Sequence, residues 1–493
     1  MQKPDPARYR FGPLERRGLI AGWRGGQIAS VAAGLVVAVT VLHSRPDVAG
    51  GVLALVAVAG GVAVACWPVA GRAPEEWVPT VARWGLDTAK HRRRWRSAAP
   101  GVGHRAGRGA HSRRPEPSSP DRGPFGGLTV LAVDAGPGNR RAAAVVHDAR
   151  ERTYTAALAV RGHSFALLGP AEKERRVGGW SGVLASLARE GSVIHRLQWL
   201  AVALPDDGAA VRSYLSDEAV LEADSPLRRS YGELLDGAGA DTCRHEVLLV
   251  LQVREAKSRG SQQHRQRESC VALLREVESM QRLIGDADVT VDGLLDASDL
   301  VCVLRRSGET TSSPPTSDPA MVVTSPWPMS VDVEWNRVRT DQVWHATYWI
   351  AEWPRIDVGP DFLAPLLLGP VRRCVSVVME PISPSRATRQ VEQARTADIA
   401  DSELRRRGGF LSTARRAREA EIVVRREAEL ADGHASFRFS GYVTVSGLSV
   451  EALDEACQIT EQAAGQAHLE LRRLYGDQAR ALTCTLPLCR GLS

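Results

Sequence analysis

Two charge-free apolar runs in tandem near the N-terminus constrain this chain more than any other feature. They cover residues 27–42 and 48–69, and only His43-Ser44-Arg45-Pro46-Asp47 separates them. A bilayer-spanning helix needs about 20 apolar residues, with a lower limit near 17. The second run meets that length. The first gains length from residues 23–26, with Arg24 snorkelling toward the headgroups. A secretory signal peptide accounts for one such run, not for two. The expectation is a transmembrane hairpin with spans at about 27–42 and 48–69. Its orientation follows from the flanking charge. Arg8, Arg10, Arg16, Arg17 and Arg24 precede it, Arg72, Arg83, Lys90, Arg92, Arg93, Arg94 and Arg96 follow it, and the turn holds only Arg45. The excess of positive charge at both ends predicts a multi-pass protein of the plasma (inner) membrane with both termini cytoplasmic.

Beyond the hairpin the composition becomes that of a folded chain, with 44% hydrophobic and 24% charged residues and a formal net charge of +6. Nearly all the basic charge is arginine, since lysine occurs only at Lys3, Lys90, Lys173 and Lys257. None of the eight cysteines forms a Cys-x-x-Cys pair. Several lie in apolar runs, which argues against a zinc site or a disulfide framework.

Shifts in composition divide the chain into the membrane hairpin with its flanks (1–96), a basic Pro- and Gly-rich linker (97–125), a first α+β domain (126–306), a Ser-, Thr- and Pro-rich linker (307–342) and a second α+β domain (343–493). From Lys90 to Arg122 the chain carries ten Lys or Arg against two acids. Beside a bilayer such a run predicts contact with anionic lipid, with Arg92, Arg93, Arg94 and Arg96 as the contacting residues. Nucleic acid is compatible with that charge but unsupported, because no aromatic residue beyond Trp95 interleaves with it. In the first domain, apolar runs at 128–133, 141–147, 153–160, 193–204 and 245–253 predict strands. Residues 170–187 and 262–283 have helical spacing. In the second, strands are expected at 344–351, 371–380 and 437–445, with a helix capped by Ser449. Between them runs a highly charged helical stretch, 386–431, broken at Gly408-Gly409. The fold class expected is α+β: a two-helix transmembrane hairpin followed by a cytoplasmic body of tandem ferredoxin-like plaits.

The chemistry is defined by what is missing. A P-loop needs a lysine after its second glycine, and no lysine here follows a glycine. No His-Glu-x-x-His occurs. The run Gly178-Gly179-Trp180-Ser181-Gly182 has the wrong spacing for a nucleophile elbow, and Trp180 suits a helix core better. Asp134, His147 and Asp148 read as turn and strand-end residues. Trp349 and Trp353 read as packing residues. No catalytic residue, cofactor or metal is expected. The sharpest candidate is a surface: Arg405, Arg406, Arg415, Arg416, Arg425 and Arg426, on the charged helical stretch, as a docking site for a partner protein.

Part of the second domain resembles a known family. It comprises Arg425-Arg426-Glu427-Ala428-Glu429-Leu430-Ala431-Asp432-Gly433-His434, Phe439-Ser440-Gly441-Tyr442-Val443-Thr444-Val445, Leu471-Arg472-Arg473-Leu474-Tyr475-Gly476-Asp477-Gln478 and Thr485-Leu486-Pro487-Leu488. These segments resemble the N-terminal, ATPase-free half of the conjugative (type IV secretion) transport ATPases. In that family the motor follows a similar Leu-Pro element, and here the sequence stops at Ser493. The hairpin, with Gly71-Arg72-Ala73-Pro74-Glu75-Glu76-Trp77-Val78-Pro79, is similar to the PrgI-type membrane subunits of the same machines. Together they resemble an actinobacterial membrane protein family encoded with conjugation-type secretion genes. The resemblance implies a non-catalytic inner-membrane scaffold, part of a multi-subunit complex, that docks a separate secretion ATPase and other inner-membrane subunits. EccE-type scaffolds of type VII secretion, which also have two N-terminal spans and a cytoplasmic domain, are the alternative implied.

Overall fold

The computed structural model describes residues 25–66, 74–96, 123–134, 142–162, 165–206, 212, 214–215, 225–238, 243–306, 326–408 and 414–492. These fall into two compact units. The first comprises the described part of Pro13–Arg93 together with Tyr475–Asp477. The second comprises the described part of Arg94–Leu474 and Gln478–Ser493.

In the first unit the apolar runs form helices α1 (Gly25–Ser44) and α2 (Val48–Cys66), followed by α3 (Pro74–Ala89). Asp47 caps α2 by accepting the Gly50 N–H at 2.8 Å. The two helices close on each other at Gly34 and Gly61, where a Cβ on Gly34 would lie 2.9 Å from the Ala57 carbonyl oxygen. Val36, Val39, Val48 and Leu55 remain exposed. The spanning expectation is corrected here. Among the described residues no helix is long and apolar enough to cross a membrane. The transmembrane hairpin, the multi-pass inner-membrane placement and the inside orientation of both termini fall together. On α3, Arg83 pairs with Asp477 at 3.1 Å, and Trp77 lies 6.2 Å from the Tyr475 ring.

The second unit is built on one sheet. Its elements run β1 (Arg94–Arg96), β2 (Leu128–Val133), β3 (Ala143–Asp148), β4 (Thr153–Gly162), α4 (Pro170–Leu187), β5 (Ile194–Pro205), α5 (Pro226–Ala238), β6 (Cys243–Arg254), α6 (Gln262–Asp286), β7 (Val289–Leu294) and α7 (Ala297–Arg306). They continue with β8 (Ser330–Val333), β9 (Val338–Thr340), β10 (Val343–Glu352), α8 (Ala364–Leu367), β11 (Arg373–Ile382), α9 (Pro384–Gly408), α10 (Ala414–Ala431), β12 (Ser436–Gly447), α11 (Val450–Gln466), β13 (Glu470–Arg473) and α12 (Gln478–Thr483). Thirteen strands join in the order β1-β8-β9-β10-β12-β11-β5-β6-β4-β3-β2, with β13 on β10 and β7 on β4. Two tandem plaits, each with its own sheet, were the expectation. The structure replaces them with a single, mostly antiparallel 13-stranded sheet. The join is the pairing of β5 with β11, from Ala203↔Arg373 to Leu197↔Met379. Each strand covers the other's open edge, so neither half presents unpaired backbone there. Within the expected linker 307–342 the structure forms β8 and β9, with Trp327, Val331 and Val338 buried. Residues 97–122 and 307–325 of the two expected linkers lie outside the described residues.

Alternation along the strands gives the sheet two apolar faces. On one, Leu158, Leu197, Leu249 and Leu251 pack under α4 and α6, and Val375, Val443 and Val445 pack under α8 and α11. On the other, Leu200, Leu248 and Val250 meet α7 and the C-terminal segment through Leu300, Leu304, Leu486 and Leu488. Both long covering helices start at a serine cap. Ser261 accepts the His264 N–H at 3.3 Å, and Ser449 accepts the Ala452 N–H at 3.1 Å.

Candidate functional site

Of the four arginines expected at a lipid surface, three engage neighbours within the chain. Arg93 lies over the Trp84 ring at 4.9 Å. Arg94 and Arg96 both pair with Asp332 of β8, at 3.8 and 3.1 Å. Arg92 is exposed in the turn before β1. Exposed pairs of this kind contribute about 1 kcal/mol or less.

The six docking candidates lie on a helical arm. α9 and α10 are inserted between β11 and β12, which are neighbours in the sheet. Near its root, α9 buries Ala387, Val391 and Ala394; farther out, Ile399 and Val424 are exposed. Arg395 ties the two helices by donating from Nη1 to both oxygens of Glu427, at 2.7 and 2.6 Å. Arg405 and Arg406 fall in the last turn of α9, and Arg415 and Arg416 in the first turn of α10. These four therefore flank the end of the arm; their side chains lie outside the described residues. Arg425 and Arg426 sit ten residues farther along α10, about 15 Å away on a helix rise of 1.5 Å per residue. Both are exposed, and Arg425 donates to Glu429 at 3.0 Å. The fold thus groups four of the six and sets two apart. From Leu404 to Arg418 the sequence holds six arginines and no acid.

A second feature was not foreseen: the segment after α12 lies along the centre of a sheet face, held by side chains that read its backbone. Gln198 of β5 donates from Nε2 to the carbonyls of Cys484 (3.2 Å) and Leu486 (2.9 Å) and to Ser376 Oγ (2.8 Å). Its Oε1 accepts the Cys489 N–H at 2.9 Å. Gln252 of β6 donates to the Leu488 carbonyl at 3.1 Å, and Arg196 to that of Cys489 at 3.2 Å. Tyr442 donates to the Gly491 carbonyl. Gly491 has φ of 117°, and a Cβ there would meet the Tyr442 ring, so this position requires glycine. Arg490 closes the row on buried Asp148, with Nε at 3.1 Å and Nη2 at 2.5 Å. A signal existed in the sequence: Gln198 and Gln252 each adjoin the apolar run of their strand, next to Leu200 and Val250 respectively on the same face, where a buried polar group requires a partner.

The remaining candidates are structural. Ser181 is exposed on α4, with Trp180 half-buried against the core. His147 stacks on Tyr154 at 4.6 Å. Trp349 donates to Ser440 at 3.0 Å, and Trp353 packs edge-on to Phe439. His345 is fully buried between Thr340 Oγ1 (2.7 Å) and Ser446 Oγ (2.8 Å). Burial, reinforced by the charge of Arg372, pushes its pKa down to about 3 and keeps the ring neutral. With no carboxylate behind it, this is a cross-link between strands and not a charge-relay base. Among the described residues no cluster of three His, Cys, Asp or Glu is placed to hold a metal.

One group stands apart. Arg373, at the start of β11, is 2% exposed, and its Nη2 donates to the Gly369 carbonyl at 3.0 Å. Its Nε and Nη1 have no hydrogen-bond partner among the described residues. A buried charge without a counter-charge costs on the order of 3–5 kcal/mol. No family model matches the chain, and no curated protein matches it.

Proposed function

We propose that this chain is a non-catalytic scaffold subunit of a conjugation-type (type IV) secretion machine, and that the arm formed by α9 and α10 docks a separate motor ATPase. The observation that carries this reading is the arm itself. It is 25 and 18 residues of helix inserted between two strands that a short turn could have joined. Its helices pack on each other, and it carries exposed Ile399 and Val424 together with a stretch of six arginines and no acid. A domain does not need such an insertion to cover its own core. A stretch of single-sign charge favours an acidic partner surface and speeds its capture. The resemblance of residues 425–488 to the ATPase-free half of conjugative transport ATPases supplies the class of partner.

The test is retention of the ATPase encoded beside this chain by the immobilised full-length protein. Replacing Arg405, Arg406, Arg415 and Arg416 together by Glu should weaken retention at least tenfold. Single Arg→Gln changes should cost threefold or less, and raised salt should mimic the reversal. Equal retention by wild type and the four-fold variant removes the arm tip as the docking surface. Retention by neither removes the scaffold reading.

A further inference from the structure

Independently of the arm, the region around Arg373 has the makings of an anion site. Alternation along β11 places Arg373 on the face opposite Cys374, whose thiol reaches Thr485 of the C-terminal segment. Across the join, Arg373 is in register with Ala203 of β5, and Ala203 with His245 of β6. Cys243 stands one step along the same face. Ala203 stands between Arg373 and His245 in the register; the His245 pKa is lowered by burial first and by the Arg373 charge second, and the same charge counters the burial that raises the Cys243 thiol. On the other side Gly369 is packed so closely that a Cβ there would lie 2.7 Å from Nη1. The loop therefore leaves the guanidinium just enough space. Arg373 donates through Nη2 alone, and it has no carboxylate partner among the described residues. Guanidinium cannot shed its proton to escape this. Its two idle nitrogens are donors only, so whatever completes the site must supply acceptor oxygens. His245, on the same face, is exposed.

We infer that Arg373, with His245 and the Gly369 loop, forms a binding site for a small oxyanion, taken up as free phosphate or as the phosphate group of a larger ligand. The site sits where the two halves of the sheet join, so an occupant would bear on strands of both.

Thermal unfolding of the full-length protein tests this, in phosphate and in chloride at equal ionic strength. Phosphate at ten times its dissociation constant should raise the wild-type Tm by about 1–2 °C. Arg373→Met should show no such rise. Gly369→Ala, which leaves the charge in place and crowds it, should raise the half-saturating phosphate concentration at least fivefold, and His245→Ala about threefold. Gly369→Ala keeps the test decisive if Arg373→Met does not fold. Adenosine monophosphate compared with phosphate shows which source is preferred, and a response to either, lost in the variants, supports the site. Equal responses in wild type and Gly369→Ala overturn it. So does a wild type that responds to phosphate and the nucleotide no more than to chloride.

Discussion

Single buried polar residues fix much of the detail in this fold, and His345 shows how. Its ring joins Thr340 to Ser446 and is neutral because burial denies it a proton. The folded pKa, about 3, lies below the unfolded value near 6.5. Between these values the unfolded chain binds more protons than the folded one. The contribution of the neutral ring is therefore complete above pH 6.5 and is lost as pH falls toward 3, by up to about 1.4 kcal/mol per pH unit. His195 acts in the same direction, its pKa pushed down to about 4 by burial first and by Arg196 second. Replacing His345 by Gln should lower stability at pH 7.5 through the lost hydrogen bonds, yet flatten the fall between pH 6.5 and 4. Urea denaturation at both pH values measures this. An acid-side slope as steep in His345→Gln as in wild type would show that the ring is not neutral in the folded protein. Cysteine follows similar logic: burial raises the thiols of Cys374 and Cys489, which leaves them protonated and unreactive.

At the scale of elements, the described strands coincide closely with the apolar runs of the sequence. Residues 128–133 are β2 itself, and 344–351 and 371–380 lie within two residues of β10 and β11. Ser449 begins α11 as its cap, and the break expected at Gly408-Gly409 falls where α9 ends. Period-two and period-3.6 patterns are local, so a short window contains them. The C-terminal strap is not local. Gln198 meets Cys484, Leu486 and Cys489 across nearly 300 residues of chain, and no window of sequence pairs them. Removing this one amide by Gln198→Ala would orphan two buried carbonyls and one N–H, at a cost of about 2–4 kcal/mol. Amide exchange at residues 484–489 should then accelerate well beyond that of β5 itself. Uniform acceleration across the sheet would instead mean that the strap unfolds only with the whole unit.

For the whole molecule, two expectations failed for different reasons. The spanning hairpin rests on hydropathy, and among the described residues no helix is both long and apolar enough to cross a membrane. Separate plaits were read from the alternation of strands and helices, which does not reveal which edges meet. Only the register of β5 against β11 makes one sheet out of two halves. The arm, by contrast, was visible in the sequence as charge without enough apolar residues to form a core, and the fold adds where it is inserted. That position offers the most direct test of the scaffold account. Ile382 of β11 and Ser436 of β12 are paired residues, so a short Gly- and Asn-containing turn can replace residues 384–434 without disturbing the sheet. The account predicts that this arm-less chain melts within about 3 °C of wild type and no longer binds the neighbouring ATPase in a titration that detects wild-type binding. A folded arm-less chain that binds the ATPase with undiminished affinity would contradict it.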